Sequence, residues 1–220
     1  AFFREAILNN RIKPRRYKFE TQLHTAFFFY ILLFNSIPKS PIHRHFKFFV
    51  ILKIMKKESK NYAFIDAQNV HLSIKRLGWE IDWRRFRVFL NERFGVKKAQ
   101  LFIGLVPGNT ALYQYLQSAG FELVFKDTIE LKDGNRKGNV DAELVLSAAA
   151  IEFINYDKAV IVSGDGDFAC LVDFLQKREK LEAIIVPDEH KYSALLKKYS
   201  TPDNNVIYFI NRSRRLLERH

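Results

Sequence analysis

From Asn61 onwards the chain alternates between two apolar patterns. Short runs rich in β-branched and aromatic residues predict strands at 62–66, 99–106, 121–125, 158–163, 181–187 and 206–210. Between them, stretches whose apolar positions recur every three or four residues predict helices over roughly 69–77, 82–93, 109–118, 139–154, 167–178 and 190–198. Glycine and polar residues punctuate the boundaries, as in consecutive βαβ units. The runs at 160–163 and 183–186 are almost wholly apolar, which suits the middle of a parallel sheet covered by helices on both faces. The pattern therefore predicts an α/β fold with a mainly parallel central sheet. Such sheets bind ligands beyond the carboxyl ends of their strands.

Those positions are acidic here. Asp66 closes the first strand in YAFIDAQN, either as a helix cap or as a carboxylate at the mouth of the sheet, where burial penalises its charge. Asp165 and Asp167 follow the fourth strand in VIVSGDGDF, where Gly164 and Gly166 allow a tight turn that aims both side chains into a crevice. The plainer reading is turn composition, with Asp167 capping the next helix. Asp141 falls in the first turn of a helix expected to begin near Asn139, on the same side as Leu144 and Val145. It points towards the protein, unless it serves only the helix dipole. Three separate segments can thus be converged on one crevice by a doubly wound arrangement, and carboxylates that repel one another there suit Mg²⁺ or Mn²⁺.

Asn69 can hold a water of the metal, donate to a substrate phosphate or cap the helix that follows. The polar stretch 126–139, with Lys132, Arg136 and Lys137, reads as a loop that grips a phosphate backbone or as a plain solvated connection. The basic runs at 84–98 and 211–220 offer further phosphate contacts or simply solvated faces. Trp79, Trp83, Phe86 and Phe89 are expected in the core. His71, His190 and the single Cys170 have no partners at metal-ligand spacing. The first strand is not followed by a GxGxxG pattern, and no glycine-rich run ends in GKS or GKT.

Composition divides the 220-residue chain unevenly. The net charge is +12, yet residues 1–54 hold ten Lys/Arg against two acids, and 55–220 hold 26 against 22. All nine glycines and every Asp lie beyond residue 54, whereas ten of the 21 Phe lie before it. Met55 is the only methionine, so residues 1–54 are expected to be an extension ahead of the natural start, and 55–220 the functional domain. N-terminal sequencing of the native protein tests this. The runs AFFFYILLF (26–34) and FKFFVILKI (46–54) fall short of the roughly 20 residues a bilayer-spanning helix needs, so no stable membrane association is expected. One cysteine fits a reducing, cytoplasmic location. A homodimer is compatible with a compact basic domain, although no patch in the sequence argues for one.

Three stretches, YAFIDAQNV (62–70), RKGNVDAELVLSAA (136–149) and VIVSGDGDFACLVDFL (160–175), resemble the NYN domain family, a branch of the PIN-like nucleases that includes the LabA-like proteins. The resemblance covers about residues 61–200. It implies a PIN-like, Rossmannoid three-layer sandwich, a Mg²⁺- or Mn²⁺-dependent acidic site and RNA as substrate. Asp66, Asp141, Asp165 and Asp167 match the acidic positions, and Asn69 the polar residue of the first motif. The expected function is a metal-dependent endoribonuclease that activates water at the Asp cluster. The competing one is a noncatalytic RNA-binding or regulatory domain in which the acids are caps and turn residues. A metal-dependent phosphatase is disfavoured, because Ala67 and Gln68 follow Asp66 where a second acid would stand.

Overall fold

Strand alternation in a sheet buried on both sides accounts for the architecture. In the computed structural model, which describes residues 59–127, 129–130, 136–137, 140–200 and 206–219, β1 (Asn61–Asp66) is buried along its whole length. Successive side chains go to opposite faces, so Ala63 and Ile65 join one hydrophobic cluster while Tyr62 and Phe64 join another. The described residues belong to a unit spanning Ser59–His220; a first unit, Ala1–Glu58, lies outside them, and so do the expectations for residues 1–54.

After β1 come α1 (Ala67–Arg76), α2 (Trp83–Phe94), β2 (Val96–Leu105), α3 (Thr110–Ser118) and β3 (Glu122–Asp127). The short pair β4 (Ile129–Glu130) and β5 (Arg136–Lys137) leads to α4 (Asp141–Leu146). Then follow β6 (Ala159–Val162), α5 (Ala169–Lys177), β7 (Leu181–Val186), α6 (Ala194–Lys197), β8 (Ile207–Phe209) and α7 (Arg214–Leu217). Among the described residues the main sheet has six strands in the order β3-β2-β1-β6-β7-β8, and every pairing in it is parallel.

Two helical layers cover the sheet. Val70 and Ile74 of α1, Phe86 and Leu90 of α2 and Leu116 of α3 pack on one face with Val160 and Val162. On the other face Leu144 of α4, Leu171, Val172 and Leu175 of α5 and Leu196 of α6 pack with Ala159 and Ile161. Trp79, Trp83 and Phe86 are buried as expected, with Phe89 packed against them. The result is the predicted three-layer α/β sandwich. Among the described residues no helix is long and apolar enough to cross a membrane.

Three local expectations need correction. The helix expected over 139–154 is α-helical only from Asp141 to Leu146 and continues as a π-turn over Ser147–Ile151. The Tyr156 hydroxyl donates to Ala148 O (2.6 Å), and Glu152 N–H donates to Ser147 O, five residues back, which is the π pattern. Ser147 Oγ donates to Gln100 Oε1 (2.7 Å), pinning the widened turn to the sheet. Asn139, the expected cap, lies outside the described residues, and Val140 occupies the N-cap position without a side-chain bond. The helix expected over 190–198 shrinks to Ala194–Lys197, because Ser193 bonds elsewhere: its N–H donates to Gly164 O (3.0 Å), while its Oγ caps Leu195 N–H. Within 126–139, expected as an open loop, β4 and β5 pair antiparallel.

Candidate metal centre

The strand order reverses between β1 and β6, since the chain winds from β1 towards β3 on one side and from β6 towards β8 on the other. Crevices beyond the carboxyl ends of the strands at such a switch point are where open α/β sheets bind ligands. Asp66 ends β1 there, and Ser163, Gly164 and Asp165 follow β6 there. Asp66 keeps the parity of Tyr62 and Phe64, and Ser163 that of Ala159 and Ile161, so both face the layer that contains α4. Sequence reading passed over Ser163, although this parity marks it.

Asp66 is 6% exposed. Its Oδ1 accepts from Asn69 N–H (3.0 Å), which makes it the N-cap of α1, and its Oδ2 accepts from Ser163 Oγ (3.4 Å). Asp66 is thus a helix cap, and it stands buried at the switch point of the sheet. Burial, opposed by the Asn69 N–H, pushes the Asp66 carboxyl from its ordinary 3.8 up to about 6, and the charges of Asp141 and Asp165 add to the rise. Asp141 and Asp165 thus stand near enough to Asp66 for their charges to act on it.

Asp165 is half-buried, and its Oδ1 accepts from Asp167 N–H (3.1 Å), capping the 3₁₀ turn Gly166–Phe168. Asp167 is exposed on that turn and is not among the main influences on Asp66. Asp165, not Asp167, is therefore the cap here. Asp141 is half-buried at the start of α4. Glu143, two residues on, pairs with Lys126 Nζ and so ties α4 to the end of β3; its other oxygen, Oε2, is buried with no hydrogen-bond donor among the described residues.

Asn69 does not cap α1. Its Oδ1 accepts from Gly164 N–H (2.9 Å), stapling the first turn of α1 to the turn after β6. Replacing Asn69 with Ala leaves that amide without its acceptor, a loss of about 1–2 kcal/mol that a denaturation midpoint registers. Asp188, at the end of β7, is a buried strand-end acid that the motifs do not single out; its Oδ1 accepts from His190 N–H (2.9 Å) and closes a turn.

The basic groups divide differently from the expectation. Arg87 donates to the carbonyls of Gly120, Val96 and Lys97, at the amino end of β2 and so at the sheet edge opposite Asp66. Arg212 pairs with Glu189 and Arg214 with Glu218. Arg136 and Lys137 form β5, whereas Lys132 lies outside the described residues. Cys170 is exposed, and its thiol donates to Asp167 O.

Among the described residues no three carboxylate, imidazole or thiol groups stand close enough to form a ready-made cation cage. Carboxylate oxygens are the donor type that Mg²⁺ and Mn²⁺ take. Mg²⁺ keeps several waters and takes one or two carboxylates, and the cost of charging Asp66 near Asp141 and Asp165 is the cost a divalent cation offsets.

Residues 61–201 match the NYN domain. Over 143 residues the chain is 27% identical to the low amplitude and bright protein LabA of Synechococcus elongatus, an alignment that covers 60% of this chain and 76% of LabA. The fold is similar to the crystal structure of a Vibrio parahaemolyticus protein of unknown function, with a TM-score of 0.58 and 24% identity, covering 70% of this chain and 94% of that one.

Proposed function

We propose, from the premise that the chain belongs to the NYN domain family of PIN-like nucleases, that it is a Mg²⁺- or Mn²⁺-dependent endoribonuclease. The observation that supports this reading is a buried Asp66 at the switch point of the sheet, raised first by burial and then by the charges of Asp141 and Asp165.

Asp66, Asp141 and Asp165 would hold the cation, with Asp167, exposed on the same turn, as a fourth carboxylate. When bound, the cation lowers the pKa of water and offsets charge on the phosphate. Asp66 is oriented by Ser163 and the Asn69 amide; Asn69 Oδ1 holds the turn after β6, leaving its Nδ2 to donate to a phosphate oxygen. Lys132, Arg136 and Lys137 grip the RNA backbone just ahead of Asp141. If so, Asn69→Ala slows cleavage about tenfold to a hundredfold, the range for a partner that orients a ligand.

A noncatalytic RNA-binding domain is the second reading, favoured by the lack of a three-ligand cage among the described residues. Labelled single-stranded and structured RNAs incubated with the full chain, with and without Mn²⁺, separate the two. Internal cutting that requires Mn²⁺ supports the nuclease. Retained binding with no cutting in any metal assigns the domain to the second reading.

A further inference from the structure

Resting on the ribonuclease reading, we propose that Tyr192 is a stacking platform for one base of a single-stranded RNA, placed beside the carboxylate turn. Tyr192 lies in the segment between β7 and α6 that is built against Gly164 and Gly166. Its neighbour Ser193 donates its N–H to Gly164 O (3.0 Å). A Cβ at Gly164 would stand 3.3 Å from Tyr192 Cβ and 3.7 Å from Asn69 Oδ1. The tyrosine therefore packs close beside Gly164, the residue next to Asp165.

Tyr192 is half-buried, and its ring meets Phe209 at 5.6 Å between centroids and 61° between planes. That edge contact, with the packing of Tyr192 against the buried cluster, holds the ring plane, while part of the residue remains open to solvent. Lys197 Nζ stands 5.7 Å from the ring centroid, and Lys191, next in the chain, is exposed. Lys197 lies over the ring in the free protein, and in the proposed complex it moves onto a phosphate while a base takes its place on the partly exposed ring.

Other aromatics compete poorly. Trp79, Trp83 and Phe86 are buried, and Phe125, although 40% exposed, belongs to β3, two strands away from β1. Because a duplex hides the faces of its bases, the platform selects unpaired RNA.

The test measures fluorescence anisotropy of a short labelled single-stranded RNA on the full chain carrying Asp66→Asn, which is not expected to cut. Adding Tyr192→Leu weakens binding about tenfold, adding Tyr192→Phe leaves it unchanged, and the Leu effect is absent for duplex RNA. Photocrosslinking of thiouridine-containing RNA to the Asp66→Asn protein needs no change at Tyr192 and is expected to label the peptide that contains it. Leu-variant binding within about twofold of its parent, or crosslinks confined to other peptides, overturns the platform. If the parent binds and wild type cuts but Tyr192→Leu is silent, only the platform falls. If wild type neither binds nor cuts RNA, the ribonuclease reading falls and takes the platform with it.

Discussion

On the ribonuclease reading, replacing Asp66 with Asn is expected to abolish RNA cleavage and, in the metal-free protein, to stabilise the fold. The two effects have one cause. Asp66 is 6% exposed and its carboxyl is raised from 3.8 to about 6, so the folded state holds the proton more tightly than the unfolded chain does. A raised carboxyl contributes stability that is fully present below about pH 3.8 and is lost as pH climbs through about 6. At pH 7.5 the ionised form costs up to about 3 kcal/mol relative to the protonated one. Asn cannot ionise. Its Oδ1 can still accept from Asn69 N–H and its amide can donate to Ser163 Oγ, so the cap survives while the charge is gone.

Denaturant midpoints in chelator, compared for the two proteins between pH 4 and 7.5, should diverge as pH rises, with the variant the more stable. At pH 7.5, Mn²⁺ should raise the wild-type midpoint and leave the variant almost unmoved. Loss of cleavage should be at least about a hundredfold, the upper end of what removing a residue behind a metal ligand costs. A variant that still cuts at the wild-type rate removes Asp66 from the site. A wild-type midpoint that does not fall relative to the variant removes the electrostatic account.

Gly166→Ala is the second change with a large expected effect. A Cβ there would lie 2.2 Å from Ser193 Oγ, 2.9 Å from Ser193 Cβ and 3.2 Å from Leu195 Cδ1. Rotating the serine hydroxyl relieves the first contact but not the second, so backbone has to move, at about 2–3 kcal/mol by the usual scale of overpacking. The backbone that moves carries Asp165 and Asp167. Cleavage should therefore fall about a hundredfold, as misplacing a catalytic group by about 1 Å does. Adding Ser193→Gly removes both close atoms and should restore most of the stability, with a few tenths of a kcal/mol kept as the loss of the Leu195 cap. Midpoints and cleavage rates of the four proteins in this cycle measure the coupling; additive losses would mean that the clash is not the cause.

The alternation of patterns carries most of the fold, because period and apolar content are local properties. Six strands and the faces they bury can be read from 61–209, since a strand buried on both sides has to be apolar at nearly every position. The acids at the strand ends are legible for the same reason: the last residue of an apolar run is where the sheet stops. Charge taken over the whole chain misleads, because Arg87, Arg212 and Arg214 are engaged by carbonyls and carboxylates of the protein itself.

What the sequence determined by itself, then, is the layer architecture and the presence of four carboxylates in three motifs, because each depends on neighbours within a few residues. Only the tertiary structure decided how those carboxylates differ. Strand order brought Ser163 against Asp66 across 97 positions, and the contact of Asn69 with Gly164 spans 95. Burial and the nearby charges of Asp141 and Asp165 set Asp66 apart, while Asp167 stayed exposed. Tyr192 and Ser193 acquired their place through the packing of one turn on another, which no spacing along the chain encodes. Pattern specifies which elements form; desolvation and charge coupling act through space, and exist only once the strands stand side by side.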